Sequence, residues 1–216
     1  MNKIKQFISK TLRIIKKDKQ FTTSGEYWER RYKRGGNSGA GSYDRLAKFK
    51  ADIINTFVAD NNISTIIEFG SGDGNNLKYF NFKSYVGYDV SETALDICRR
   101  KFGNDQTKKF IHMSDFQGRT ADLTMSLDVI YHLIEDDIYE QYMKCLFSSS
   151  NKYVIIYASN IESISPAPHV RHRKFTDWVD KKCPDFHLIR CIQNKYPFTE
   201  GDPTTSFADF YIFSKQ

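Results

Sequence analysis

What the chain has little of narrows its class first. Five prolines and twelve glycines in 216 residues leave no proline-rich or glycine-rich linker long enough to separate domains, and a single domain of this length buries about 70% of its unfolded surface. Four cysteines, Cys98, Cys145, Cys183 and Cys191, are scattered without the close C-x-x-C pairing of a zinc or redox site, which predicts a reduced, cytosolic protein. No apolar run approaches the ~18 residues of a bilayer-spanning helix; the longest is Tyr153 to Ala158. Charges interrupt the basic N-terminus, so the sequence predicts no secretory signal and no export.

Excess charge is also absent from most of the chain. The first twenty residues hold seven bases and one acid, Asp18, whereas the remaining 196 hold 25 bases and 25 acids. That balance disfavours a nucleic-acid partner bound across the whole domain. Within residues 1–20, Ile4, Phe7, Ile8, Thr11, Leu12 and Ile15 recur at spacings of three and four between lysines. The pattern predicts a basic amphipathic helix, suited to an anionic membrane surface or to packing on protein.

What is present reads as alternating α and β. Residues 21–43 combine Tyr27, Trp28, Arg30, Arg31 and Tyr32 with a loop-forming Gly/Ser run and predict a flexible lid before the domain of 44–216. Apolar periodicity predicts a helix from Asp44 to Asp60, stopped by Asn61-Asn62. Strands follow near 64–69, 84–89, 108–112, 121–127 and 151–158, with helices near 75–80, 91–101, 136–146 and 175–182. This is the signature of a parallel sheet. The runs 186–193 and 207–214, joined by a polar turn, predict an antiparallel pair at its end.

The run Thr65 to Leu77 is a strand, a glycine turn and a helix start, a form that lets backbone approach a nucleotide-like ligand. Asn75 stands where the dinucleotide fingerprint needs glycine or alanine, which disfavours a nicotinamide cofactor. Glu68, two residues before Gly70, suits an amine-bearing or cationic ligand. Asp89 closes the next strand, where a carboxylate can take both ribose hydroxyls, and Asp115 with Phe116 could receive an adenine amine and cover its ring. Each has a structural alternative: Glu68 or Asp89 as a helix cap, Phe116 as core.

With these blocks, E-F-G-S-G-D-G (68–74), Y-V-G-Y-D-V-S (85–91), M-S-D-F (113–116) and A-D-L-T-M-S-L-D-V-I-Y-H-L (121–133), the chain resembles the class I S-adenosylmethionine-dependent methyltransferases. The resemblance implies a Rossmann-like α/β fold, with a mostly parallel seven-stranded sheet, an antiparallel C-terminal strand and helices on both faces. It implies that Gly70, Gly72 and Gly74 approach the methionine end of S-adenosylmethionine and that Asp89, with Val90, holds the ribose. Ser114, Asp115 and Phe116 would hold the adenine, Leu127 and Asp128 would flank the sulfonium, and Tyr27, Trp28 and Tyr32 would close over the cofactor. The product would be S-adenosylhomocysteine.

A hydroxyl acceptor needs a base near the ends of the fourth and fifth strands. His132, His169 and His172 are the candidates, and Arg171, Arg173 and Lys174, with Tyr43 of the lid, are the candidate acceptor-binding residues, the cations favouring an anionic group. The alternative for that cluster is a solvated charge run. No ordered set of carboxylates suggests a metal. The G-G-N-S-G-A-G-S stretch and the block from Pro168 to Trp178 resemble bacterial methyltransferases of capsule and lipopolysaccharide biosynthesis. That narrower resemblance implies O-methylation of a sugar, sugar phosphate or phosphoramidate-type group at the inner membrane face, with another small metabolite or a nucleic acid as alternative acceptors.

Overall fold

The computed structural model describes residues 21–216; the helix and membrane contact expected of residues 1–20 lie outside them. Seven strands form one sheet: β1 (Ile66–Phe69), β2 (Tyr85–Asp89), β3 (Lys108–His112), β4 (Ala121–Leu127), β5 (Ser150–Ala158), β8 (Phe186–Ile192) and β9 (Asp209–Lys215). Their order is β3-β2-β1-β4-β5-β9-β8. The first five run parallel, and β9 lies antiparallel between β5 and β8. Between β5 and β8 sits a two-stranded hairpin the sequence pattern does not announce, β6 (Ser163–Ile164) with β7 (Arg171–His172).

Period-two alternation assigns the sheet's two faces. Ile66, Tyr85, Leu123, Ile155 and Tyr157 point to the face covered by α2 (Asp44–Asp60). Ile67, Val86, Val154 and Ile156 point to the other, covered by α4 (Asp136–Ser148) and α5 (Phe175–Lys182). α2 places Leu46, Ile54 and Phe57 on its sheet-facing stripe, where each buried side chain contributes roughly 1.5–3 kcal/mol. Asn61 caps its C-terminus and Asn62 turns the chain at φ 51°.

Two segments depart from the expected pattern. Residues 75–80 form only a short 3₁₀ turn, Leu77–Tyr79, because Asn75 and Asn76 direct their amides to Ser42 rather than capping a helix. Residues 21–43, expected to be flexible, contain the ten-residue helix α1 (Ser24–Lys33) and a 3₁₀ turn at Ala40–Ser42. The Thr23 hydroxyl caps α1 by accepting from the Glu26 amide. The remaining helix, α3 (Glu92–Phe102), starts at Ser91, whose hydroxyl accepts from the Ala94 amide.

Candidate active site

A cavity of about 380 Å³ lies at the carboxyl ends of β1, β2 and β4, roofed by α1. Its floor is the turn after β1. Gly70 (φ 80°) and Gly72 (φ 56°) hold a left-handed backbone that side chains resist, and both line the cavity. They are also closely packed: a Cβ on Gly72 would lie 2.3 Å from Ser38 Oγ, and one on Gly70 2.4 Å from Val129 Cγ2. Gly74 does not line the cavity; it stands against Phe102 and Cys98.

Asp89 enters this wall at the end of β2. One carboxylate oxygen accepts from the Gly72 amide at 2.8 Å and the other from the Ser91 amide at 2.9 Å, which leaves a further lone pair on each for two neighbouring hydroxyls. Burial raises its pKa despite these amides. Val90, Ser114, Leu127 and Asp128 line the same cavity.

Other predicted residues fall elsewhere. Glu68 sits on the α2 face of β1, fully buried, where its carboxylate accepts the Tyr85 hydroxyl at 2.6 Å. Burial pushes it up to about 7, with the Tyr85 bond and Lys50 opposing. Asp115 is exposed and outside the cavity wall. Phe116 packs edge-on against Phe69 and Tyr88.

The roof is fastened at both ends. The Ser24 amide and hydroxyl both donate to Glu135, at 2.9 and 2.6 Å. Glu29 accepts from the hydroxyls of Ser91 (2.6 Å) and Thr93 (2.9 Å) at the start of α3. Burial opposes ionisation of Glu29, but bonds from Ser91, Lys33 and Thr93 outweigh it and bring its pKa down to about 2. Trp28 and Tyr32 face the cavity, and Tyr32 shares a 2.8 Å hydrogen bond with Ser38, whose hydroxyl accepts the Asp73 amide. Tyr43 donates to Asp73 at 2.6 Å and Tyr27 stacks on His169 at 4.5 Å; neither lines the cavity.

At the far end, the three candidate histidines separate. His132 lines the cavity, with Trp28 edge-on at 4.9 Å. Its Nδ1 lies 2.8 Å from the His169 carbonyl; a carbonyl only accepts, so Nδ1 carries hydrogen and Nε2 keeps the lone pair in the neutral ring. Burial lowers its pKa to about 4, the carbonyl bond opposing. His169 stacks behind it at 5.5 Å. His172 bonds Ser159 at 2.7 Å, beside Phe207 and outside the cavity wall.

The cations of the same block point away from the cavity. Arg171 and Arg173 donate to the Ile134 carbonyl and pair with Asp136 at 2.9 and 3.0 Å. Arg173 also donates to the Leu133 carbonyl at 2.6 Å. Lys174 pairs with Asp177 at 2.9 Å. These contacts fasten the segment between β4 and α4.

Sequence reasoning missed Ser38, Ser42, Ser71, Asn75, Asn76 and His112 in the wall. For His112 a signal existed: it is the last residue of β3, in register with Asp89. Its Nε2–H donates to the Val90 carbonyl at 3.0 Å, and its Nδ1 accepts from the Ser114 amide at 3.2 Å.

Ser71 Oγ and Asn76 Oδ1, on two residues of the wall, are themselves buried without a hydrogen-bond partner, an arrangement that costs about 1–3 kcal/mol per group. Among the described residues no three His, Cys, Asp or Glu side chains gather as for a metal ion, and no helix is long and apolar enough to cross a membrane.

A seven-stranded sheet of this order, with a carboxylate at the end of β2 and a glycine turn after β1, defines a Rossmann-like fold that binds nucleotide-type ligands at the carboxyl ends of its strands. Residues 42–190 match the model of the family described as methyltransferase domain, and the chain belongs to that family. No curated protein matches it in sequence. Among solved structures it is similar to a magnesium protoporphyrin IX methyltransferase from Synechocystis PCC 6803 with bound SAH, at 14% identity and TM-score 0.60, over 78% of this chain and 83% of that one. It is also similar to the methyltransferase domain of bacterial CtHen1-CN, at 20% identity and TM-score 0.59, over 77% and 98%. A third, the mitomycin 7-O-methyltransferase, aligns at 10% identity and TM-score 0.57, over 79% and 53%. At these identities the structures share the fold.

Proposed function

We propose that this methyltransferase acts on oxygen, and that its acceptor is a hydroxyl of a small glycan precursor. The observation that carries the choice of oxygen is His132: a neutral imidazole in the cavity wall, its tautomer set by the His169 carbonyl at 2.8 Å and its Nε2 without a hydrogen-bond partner among the described residues. S-adenosylmethionine, when bound, supplies an electrophilic methyl carbon and leaves as S-adenosylhomocysteine. Gly70 and Gly72 would let backbone approach that cofactor, and Asp89 would offer its remaining lone pairs to the ribose. Trp28 and Tyr32 exclude water from above.

His132 Nε2 takes the acceptor's proton as the new carbon–oxygen bond forms. Burial makes it a weak base but keeps it uncharged across the physiological range, so the acid limb of the rate profile falls near pH 4 rather than 6.5. The glycan class is supported by the resemblance of the Gly/Ser stretch and the 168–178 block.

The test is incubation with S-adenosylmethionine and a panel of nucleotide sugars, sugar phosphates and methyl glycosides, read by mass spectrometry. An O-methylated product, with kcat in His132→Gln reduced about 10²-fold or more and cofactor affinity retained, is expected. An N-methylated product, or wild-type kcat in that variant, overturns the reading.

A further inference from the structure

Beneath the cavity lies an ion pair that the transfer chemistry above does not use. Lys50 on α2 has no solvent exposure, and its Nζ donates to Asp128 Oδ2 at 2.5 Å. The ring of Tyr157 lies 5.1 Å from the same ammonium. A lysine is almost never fully buried unless paired, and removing a charge from water costs several kcal/mol. Such a placement calls for a reason beyond filling space.

The partner supplies it. Asp128 follows β4, lines the cavity and holds φ 61°, a left-handed conformation that costs a non-glycine residue about 1 kcal/mol. Three contacts maintain it. Its amide donates to the Tyr157 carbonyl at 2.9 Å, Oδ1 accepts the Tyr131 hydroxyl at 2.8 Å, and Oδ2 accepts Lys50. Gly41 closes the remaining side, since a Cβ there would come within 2.9 Å of Oδ2. Both carboxylate oxygens are thereby held, in a residue that lines the cavity.

We propose that Lys50 is a positioning residue of this site: acting through Asp128, it holds an oriented carboxylate in the cavity wall to receive a cationic centre of the ligand. The inference rests on the cavity being the cofactor site and is independent of which acceptor atom is methylated. A sulfonium is such a centre. The pair is neutral as a unit, so the wall offers a directed acceptor without the repulsion that a lone buried lysine would bring. The other titratable or charged groups near Asp128 are Tyr131 and His132 after β4 and Tyr157 on β5. Glu68 on β1 lies behind Lys50.

Calorimetric titration with S-adenosylmethionine, which carries the sulfonium, and S-adenosylhomocysteine, which does not, tests this. The proteins compared are wild type, Lys50→Met, Lys50→Arg, Asp128→Asn and the double variant Lys50→Met/Asp128→Asn. In Lys50→Met the carboxylate loses its counter-charge and one of its two side-chain donors. S-adenosylmethionine affinity is expected to fall about tenfold as the carboxylate loses the contact that orients it. S-adenosylhomocysteine affinity falls less. Lys50→Arg, which keeps a cation at this position, restores most of the S-adenosylmethionine affinity. The double variant removes the uncompensated charge, so it folds with near wild-type stability, yet binds S-adenosylmethionine as weakly as Asp128→Asn.

A merely structural role for Lys50 would weaken both ligands equally. That outcome, or wild-type S-adenosylmethionine affinity in the double variant, overturns the proposal. O-methylated product in the acceptor panel is a separate readout, and neither result decides the other.

Discussion

Replacing Glu68 with Gln probes how the sheet tolerates a buried carboxyl under the cofactor floor. Burial raises this group from 4.5 to about 7, the Tyr85 hydroxyl and Lys50 pulling the other way and Asp89 adding to the rise. A difference of that size between folded and unfolded chains corresponds to about 3 kcal/mol. The folded state binds the proton more tightly than the unfolded state, so stability is highest below pH 4.5 and declines as pH rises to about 7. Gln can still accept the Tyr85 hydroxyl, which now stands 2.6 Å from the carboxylate, but it never ionises.

The stability difference, Glu68→Gln minus wild type, should therefore rise by about 3 kcal/mol between pH 5 and pH 8.5, whatever constant offset the extra amide hydrogens introduce. Urea unfolding at four pH values across that range measures it, and taking the difference removes the contributions of other titrating groups. A difference flat to within about 0.5 kcal/mol would refute the reasoning, and would mean that Lys50 and Tyr85 already stabilise the ionised carboxylate as well as water does.

Two further perturbations test the glycine turn and the roof. Gly72→Ala places a Cβ 2.3 Å from Ser38 Oγ at φ 56°, so S-adenosylhomocysteine binding measured by calorimetry should fall at least about tenfold as the turn and roof separate. Gly118→Ala carries a similar backbone strain with nothing within 4 Å, and should cost about 1 kcal/mol in urea unfolding while leaving that affinity unchanged. Glu29→Gln should loosen α1 by about 1 kcal/mol after allowance for solvent screening, seen as about fivefold faster amide hydrogen exchange in Ser24–Lys33. Because the Glu29 pKa is depressed to about 2, the wild-type anchoring holds above pH 4.5 and weakens as pH falls toward 2. The two proteins should converge in exchange rate as it does.

The glycine-turn end of the cavity was legible because its determinants are local. Gly70, Gly72 and Asp89 sit at strand ends that apolar runs announce, and the helix Asp44–Asp60 follows directly from its repeat. Glu68 shows where local reading misleads. It stands two residues before Gly70, but strand alternation puts it on the side of Ile66, facing α2 and Tyr85 rather than the ligand. Lys50 was equally hidden: in a helix whose other polar residues are solvated, nothing in the sequence marks the one lysine that reaches a carboxylate 78 positions away.

The acceptor end is assembled from partners distant in sequence, and that is why its residue types misled. Arg171 and Arg173 read as an anion-binding pair, but Asp136 and the carbonyls of Leu133 and Ile134 already occupy them. α1 read as flexible because its aromatic and basic residues run straight into the loop-forming Gly/Ser stretch from Gly35 to Ser42. Its order comes from Ser24 bonding Glu135, 111 residues on, and from Glu29 bonding Ser91, 62 residues on. The same logic isolates His132 among the histidines. His169 gives its carbonyl and its ring face, and His172 turns to Ser159, so both support the structure around the site. Among the described residues only His132 combines a place in the cavity wall with a tautomer that leaves Nε2 without a partner, so the proposed choice of oxygen as the methylated atom stands or falls with that one side chain.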